Sequence, residues 1–485
     1  MKFLILCENS NGAWPYLHYR GLGAFELKKR AKRHGHDATI LEWFTHWKID
    51  DLIAAAGAYF KDTDEPVIAV STPFDNRDLY KIESFLRDAK ARYPKLKIIH
   101  GGSRTFQKTL DDLIEVFFLG RSMEMFDAWV TNKDLSKYIV HNSPLVLLNH
   151  DFDQVIDEPV LPNIDDEDNC FLNRDILGFE IGVGCKFNCT FCNYELRNAK
   201  ITKFLDPKEL HHYFEVAYKK YGITNFYTSD DTINESDQKL EIIVEAMEGL
   251  DYSPKITSFA RLDLFSKRKH QLDLIEKIQF SALFFGIESF NPDVSKTMRK
   301  RTGLIDNFET LREIKKRCPD TYTIGSLIVG LEGDNKQSIV DSIERVIDEK
   351  LLWGLQVYPL VITSSNSLTD SYFLSDLDKE PEKYGFKTKR IPITSLHGDK
   401  ETNTLDWNSD WIDYKQAQTF VSELYESIGQ RILLMNHFEY AGFRSLGLLR
   451  PGKKIIYEQL RNQAYNVSAQ LKQIYIAKKK AYLGL

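Results

Sequence analysis

The sequence predicts an α/β protein: a doubly wound parallel sheet, then a partial (β/α)6 barrel, then a mixed, mainly helical C-terminal extension. Three observations carry this reading. Short β-rich runs alternate with helical stretches from the first residues, the alternation lapses over an acidic, Pro-containing stretch, and a second, more widely spaced alternation follows.

In the first series KFLILC, DATILEWF, PVIAVSTP, LKIIHGG and EVFFLGR read as strands, with FELKKRAKRHG, IDDLIAAAGAYF and LYKIESFLRDAKARY as helices between them. Such sheets bind ligands beyond the carboxyl ends of their strands, near the point where strand order reverses. That rule selects Ser71 and Thr72 after the third strand, Gly101 and Gly102 after the fourth, and Gly120 after the fifth. The first domain is expected over 1–139. Residues 140–172, with DEPVLPNIDDEDN, read as a linker wrapping between domains.

The second series reads GFEIGVG, TNFYTSD, KITSFARL, SALFFGIES, YTIGSLIVG and WGLQVYPLV, each with a helical pattern before the next, which predicts a six-unit partial barrel over 173–364. Its chemistry is expected at the strand C-termini. The extension, 365–485, is expected to cap the barrel mouth or shape a pocket, with the lysines of IAKKKAYLGL on a solvated helix face.

Composition narrows the function. Of 485 residues 43% are hydrophobic and 28% charged, which suits an ordinary globular protein with more than one core. The net charge of −6 gives no global field for a phosphate backbone, so there is no strong nucleic-acid signal. No apolar run reaches the ~18 to 20 residues that cross a bilayer, and MKFLILCENSNG turns polar too soon for a signal peptide, so a cytoplasmic protein is expected. Six cysteines are too few for a disulfide framework, and three of them, Cys185, Cys189 and Cys192, crowd into one short segment.

That segment, GFEIGVGCKFNCTFCNYELRN, sets the three at C-x3-C-x2-C spacing directly after a predicted strand. Thiolates this close on a loop can converge on one iron-sulfur cube and leave its fourth iron without a protein ligand. A structural zinc is the alternative; it needs a fourth ligand, and Cys170, His211 and His212 are the nearest candidates, with neither histidine in a spaced pair.

The loop, including Phe191 just before the third cysteine, resembles the signature of the radical S-adenosylmethionine superfamily, and the resemblance covers residues 175 to 362. It implies a [4Fe-4S] cluster on Cys185, Cys189 and Cys192 whose open iron chelates S-adenosylmethionine. An electron, drawn from a donor such as flavodoxin or ferredoxin, then cleaves the sulfonium to a 5′-deoxyadenosyl radical that abstracts a substrate hydrogen. FGIESFNPDVSKTMRK resembles the fourth-strand motif, which implies Glu288 on the ribose and Lys300 on the methionyl carboxylate. IVGLEGDNKQSI resembles the fifth-strand turn, implying that Gly330 and Gly333 let the backbone pass close to the adenine. Arg261 ends the third strand, where family members carry either a glutamate or an arginine. FYTSDDTIN resembles the Asp-Asp form of cobalamin-domain members, so Asp230 and Asp231, in the Thr228 to Asp231 turn, are candidates for the S-adenosylmethionine amino group.

The first series, a flavodoxin-like, Rossmann-type unit, resembles the cobalamin-binding domain of class B members through AVSTP, IIHGGSRT and FFLGRSMEMF. Gly101 and Gly102 would let a nucleotide tail slide along the backbone. The sequence has no D-x-H-x-x-G, and His18, His34, His36 and His100 are scattered. Either cobalamin binds without a protein nitrogen, or the domain only recognises substrate. The resemblance therefore implies a radical enzyme, with methyl transfer from cobalamin as its reaction and an unknown substrate. A methylthiotransferase would carry a second cysteine triplet, and Cys7 stands alone in its domain. A metal-stabilised binding protein is the alternative outside enzymes, and it would need none of the strand-end motifs.

Overall fold

A computed structural model describes residues 1–9, 18–72, 76–102, 110–149, 154–155, 158–194, 196–201, 203–300, 307–364, 374–389, 393–394, 401–402, 404–449 and 457–485. The first sheet contains β1 (Lys2–Cys7), β2 (Asp37–Glu42), β3 (Pro66–Ser71), β4 (Lys97–Gly101), β5 (Val116–Leu119), β6 (Ile139–Asn142) and β7 (Leu145–Leu148). Their order is β2-β1-β3-β4-β5-β7-β6, and only β6 runs antiparallel to its neighbour.

Helices cover both faces of this sheet, which is why β1 is apolar without alternation. Phe3 and Ile5 pack in one layer with helices Leu22–Arg33 and Met123–Val130, while Leu4 and Leu6 pack in the other with Ile49–Phe60 and Glu83–Arg92. Parallel register aligns Cys7, Ser71, Gly101 and Phe118 across the carboxyl edge. Strand order reverses between β1 and β3, so the crevice expected from the sequence opens at Ser71 and its neighbours.

The second sheet contains β8 (Ile176–Phe179), β9 (Asn225–Thr228), β10 (Lys255–Ala260), β11 (Ala282–Glu288), β12 (Tyr322–Val329) and β13 (Gly354–Pro359), all parallel and paired in sequence order. Helices Pro207–Tyr221, Asp237–Met247, Gln271–Ile278, Asn307–Arg317 and Lys336–Asp348 connect them. Asp206 caps the first of these through Lys208 N, and Gly222 ends it in the left-handed region. On the opposite face, helix His437–Ser445 packs against the sheet: the His437 ring lies 4.4 Å from Phe259 and 4.8 Å from Phe284, and Tyr440 stacks on Tyr322 at 4.1 Å.

Two stretches differ from the sequence reading. Residues 139–148, where the linker was expected to begin, form the β6–β7 hairpin that extends the first sheet along β5. Farther on, the acidic stretch exposes the side chains of Glu158, Asp165 and Glu167 but buries one of its carboxylates. Asp168 is buried and takes Lys28 at 2.6 Å and Lys479 at 2.5 Å, while Asp175 takes Arg20 at 2.7 Å. The lysines of IAKKKAYLGL, expected on a solvated face of the terminal helix Tyr457–Tyr482, divide: Lys478 is exposed and Lys480 partly so, but Lys479 is fully buried, as is Lys472 earlier in the helix. A lysine run reads as surface until buried carboxylates from elsewhere in the chain supply its partners. Among the described residues no helix is long and apolar enough to cross a membrane.

Candidate active site

The cysteine loop leaves β8 at the carboxyl edge of the second sheet. Gly184, at φ 104°, makes the turn into Cys185, and the loop is pinned by Cys185 N to Leu196 O (3.1 Å), Ala199 N to Cys185 O (3.1 Å) and Asn198 N to Phe187 O (2.9 Å). Thr190 N donates to Met298 O at 3.3 Å, tying the loop to the segment after β11. Burial pushes the Cys185 thiol up to about 12, and burial likewise raises Cys192. Each thiol must lose its proton to bind a metal, and the charge of a bound cation would offset that burial cost. An all-sulfur donor set favours iron-sulfur or zinc. The fourth zinc ligands the sequence offered are held elsewhere: His211 by the Ala246 carbonyl (3.0 Å), His212 by Asp165 (2.8 Å), and Cys170 within the first sheet's core. The donor set thus fits a [4Fe-4S] cluster held by Cys185, Cys189 and Cys192.

Arg261 is the strut of this edge. Its guanidinium donates to Cys189 Sγ (3.3 Å), to both oxygens of Asp263 (2.9 and 3.0 Å) and to the Lys300 carbonyl (2.6 Å), and it lies 4.1 Å over the Phe187 ring. It joins the cysteine loop to the segment that ends in Lys300. Glu288 follows a register shift between Gly286 and Glu288 and sits at φ 64°; such bulges re-aim a side chain. Its Oε1 meets Lys300 Nζ at 2.7 Å, and its Oε2 accepts from Ser326 at 3.2 Å. The two groups that the resemblance assigns to opposite ends of S-adenosylmethionine are therefore adjacent.

Other expected residues have different surroundings. Asp230 is buried and occupied, accepting from Ile181 N (2.9 Å) and Gly182 N (3.1 Å) and pairing with Lys239 at 2.7 Å. Asp231 is the exposed member of that pair. At Gly330, φ 111°, an added Cβ would stand 2.3 Å from the Trp407 ring, so the close approach there is to the C-terminal extension. Gly333, φ 87°, has Val294 as the neighbour of its missing side chain.

A cavity of about 600 Å³ lies between the carboxyl edges of the two sheets. Ser71, Gly101, Gly102 and Gly120 line it from the first sheet; Thr228, Asp231 and Phe259 line it from the second, with Phe438 from the extension. Thr72 is not among the lining residues; its hydroxyl stands 2.7 Å from His100 Nε2. His100 itself is buried, lines the cavity, and is held by burial down to about 4. At Gly101 the nearest atoms to an added Cβ belong to Phe118 at 3.6 and 3.7 Å, ordinary contacts, so no protein neighbour requires glycine there. Gly101 also lines the cavity, so its wall there is bare backbone that a bulky ligand could approach closely.

A smaller polar space of about 260 Å³ shares Gly102, Gly120, Ser229 and Asp231 and adds Tyr194, two residues beyond Cys192. Arg121 and Glu180, bonded at 3.1 and 3.0 Å, line both spaces and join the two sheets. Sequence reading missed this pair, as well as Tyr194 and the Lys239–Glu235 pair at 2.6 Å. Glu180 and Tyr194 lie in the cysteine-loop segment and Arg121 in FFLGRSMEMF, but no spacing rule pairs residues across the two series.

The cysteine loop, Arg261 and the Glu288–Lys300 pair thus share the carboxyl edge of the second sheet. Residues 179–346 match the Radical SAM superfamily, and that part of the chain is a radical SAM domain. Lipoyl synthase of Francisella philomiragia is 22% identical over 218 residues, 44% of this chain and 64% of that protein. Lipoyl synthase of Caldicellulosiruptor saccharolyticus is 21% identical over 192 residues, 40% of this chain and 65% of that protein. The chain thus spans just under two thirds of the length of these relatives. Over nearly its whole length it has the fold of the methyltransferase TsrM from Kitasatospora setae, solved with cobalamin and a [4Fe-4S] cluster (TM-score 0.62, 12% identity, 97% of this chain and 99% of that one). It is similar too to OxsB, solved with aqua-cobalamin and S-adenosylmethionine (TM-score 0.61, 12% identity, 98% and 71%).

Proposed function

We propose that the protein is a cobalamin-dependent radical S-adenosylmethionine enzyme that transfers a methyl group. The observation that carries this is the single cavity reaching from Gly101 and Gly102 to Asp231 and Phe259, because it puts a space beside the first sheet's strand ends in communication with the second sheet's. A [4Fe-4S] cluster on Cys185, Cys189 and Cys192 would supply the electron that cleaves S-adenosylmethionine. The chain's own residues do the positioning. Lys300 offers its ammonium to the methionyl carboxylate, and Glu288, released from it, accepts from the ribose hydroxyls. Arg261 keeps Cys189 and the Lys300 segment in register. Gly101 and Gly102 leave room for the nucleotide tail, and Phe259 and Phe438 wall the methyl-accepting side with apolar surface.

The electron comes from a reduced protein donor of the flavodoxin or ferredoxin kind. A reducing cytoplasm suits both the cluster and the free cysteines.

The test is anaerobic reconstitution with iron, sulfide and hydroxocobalamin, desalting, and metal analysis. Four irons and one cobalt retained per chain, with methyl-labelled S-adenosylmethionine passing its label to bound cobalamin, supports the reading. Iron without cobalt leaves a radical enzyme whose first domain recognises substrate.

A further inference from the structure

Part of the large cavity is a slot inside the first domain, between one face of the sheet and the two helices that cover it. Ala69, Ile99 and Phe118 wall it from the sheet, Leu27 from helix Leu22–Arg33, and Met123 and Phe126 from helix Met123–Val130. Apolar walls of this kind favour an apolar occupant. One acid interrupts them. Glu26, next to Leu27 on its helix, also lines the cavity and is only 2% exposed.

The two oxygens of Glu26 are not equivalent. Oε1 accepts from Arg30 Nε at 2.7 Å, and Arg30 also pairs with Asp127, whose other oxygen lies 2.9 Å from His34 Nε2, so the flanking helices are pinned to each other. Oε2 has no hydrogen-bond partner among the described residues. A buried polar atom left without a partner is costly, and a ligand that supplies the partner recovers that cost. Burial pushes the Glu26 carboxyl above its ordinary value, which favours the protonated form, and a protonated carboxyl donates. An apolar slot with one such donor in its wall suits a planar ring that carries one nitrogen acceptor.

We propose that Glu26 is a specificity-determining residue for the corrinoid: Oε2 donates to the ring nitrogen of the base that ends the nucleotide tail, and this base lies in the slot, away from cobalt. The inference deepens the cobalamin reading given above and rests on it. A tail ending in a nitrogen-bearing ring makes the bond. A tail ending in a phenyl ring fills the same slot and leaves Oε2 unpaired.

The test measures binding to the anaerobically reconstituted enzyme by equilibrium dialysis with cobalt analysis. The probes are hydroxocobalamin, p-cresolylcobamide, whose tail ends in a phenyl ring, and cobinamide, which has no nucleotide tail. Glu26→Leu should bind hydroxocobalamin about tenfold more weakly than the wild type does, while its affinities for the other two change by less than about twofold. Glu26→Gln, whose amide donates to a ring nitrogen, should keep hydroxocobalamin within about threefold of the wild type. Circular dichroism and iron content control for folding. An equal loss for all three corrinoids in Glu26→Leu, or no loss for hydroxocobalamin, overturns the inference. Should that variant fail to fold, the wild type decides alone: its buried-carboxyl infrared stretch should shift on adding hydroxocobalamin and not on adding p-cresolylcobamide, and identical responses overturn the inference. Retention of none of the three probes by the wild type overturns the cobalamin reading itself.

Discussion

Lys300 Nζ stands 2.7 Å from Glu288 Oε1 and 2.5 Å from the Gly286 carbonyl, so the ammonium and carboxylate expected to grip S-adenosylmethionine grip each other. Binding then exchanges one ion pair for two sets of contacts. Lys300→Ala is expected to weaken S-adenosylmethionine binding by about 1.5–3 kcal/mol, the range for hydrogen bonds to charged groups. Glu288→Gln, which frees the ammonium but keeps an acceptor, should cost less. Equilibrium dialysis of labelled S-adenosylmethionine against the two variants measures both, and the double variant gives their coupling.

Cys192→Ala should retain no intact cluster and no reductive cleavage of S-adenosylmethionine to 5′-deoxyadenosine. The anaerobically reconstituted wild type should carry four irons and labile sulfide. One equivalent of zinc without sulfide would remove the radical chemistry altogether.

Gly101→Leu should block cobalamin retention without unfolding the sheet, because a Cβ there meets only ordinary contacts. Gly102 is a poorer probe, since its φ of 99° strains any side chain. Cobalt analysis after gel filtration gives the answer, with circular dichroism as the folding control. His100 lines the cavity with Nε2 held by Thr72 and Nδ1 unpartnered among the described residues, so the electron paramagnetic resonance of bound Co(II) is to be compared in wild type and His100→Ala: binding without a protein nitrogen expects no nitrogen splitting and no change, and splitting lost in the variant would overturn it.

Burial holds His437 down to about 3 against an ordinary value of 6.5. Between those values the unfolded chain binds a proton that the folded chain does not, so stability falls as pH drops below about 6.5. Each such proton is worth about 1.4 kcal/mol per pH unit. His437→Phe removes one of them, and its thermal midpoint should fall less than the wild type's between pH 7 and pH 5.

Lys479→Ala should destabilise the fold by about 1.5–3 kcal/mol, the range for hydrogen bonds to charged groups, because the buried Asp168 carboxylate loses one of two close cations and keeps Lys28. Denaturant titration reads this, and Lys480→Ala, whose partner Asp51 is partly exposed, should cost much less.

The two sheets were legible because their strands carry the signal themselves: β1 is apolar on both faces, and the six strands of the second sheet recur with helices between. The cysteines and Glu288 with Lys300 were legible because each lies in a motif of fixed spacing. What sequence could not supply was pairing across distance. Nothing near Lys479 announces Asp168, 311 residues away, and nothing near Gly330 announces Trp407. Asp230 looked like a ligand because Asp-Asp turns carry ligands, yet its two backbone donors and Lys239 come from other segments. The β6–β7 hairpin was missed because short strands flanked by polar turns do not stand out from a loop.

The burial of Lys472 and Lys479 bears on how the chain is made. Asp168 and Lys28 leave the ribosome long before Lys479, so the first sheet is synthesised early but cannot close its polar junction until the terminal helix arrives. The order of completion is therefore not the order of translation. Nascent chains halted before residue 457 should hold the early sheet with Asp168 paired to Lys28 alone and its junction open to solvent.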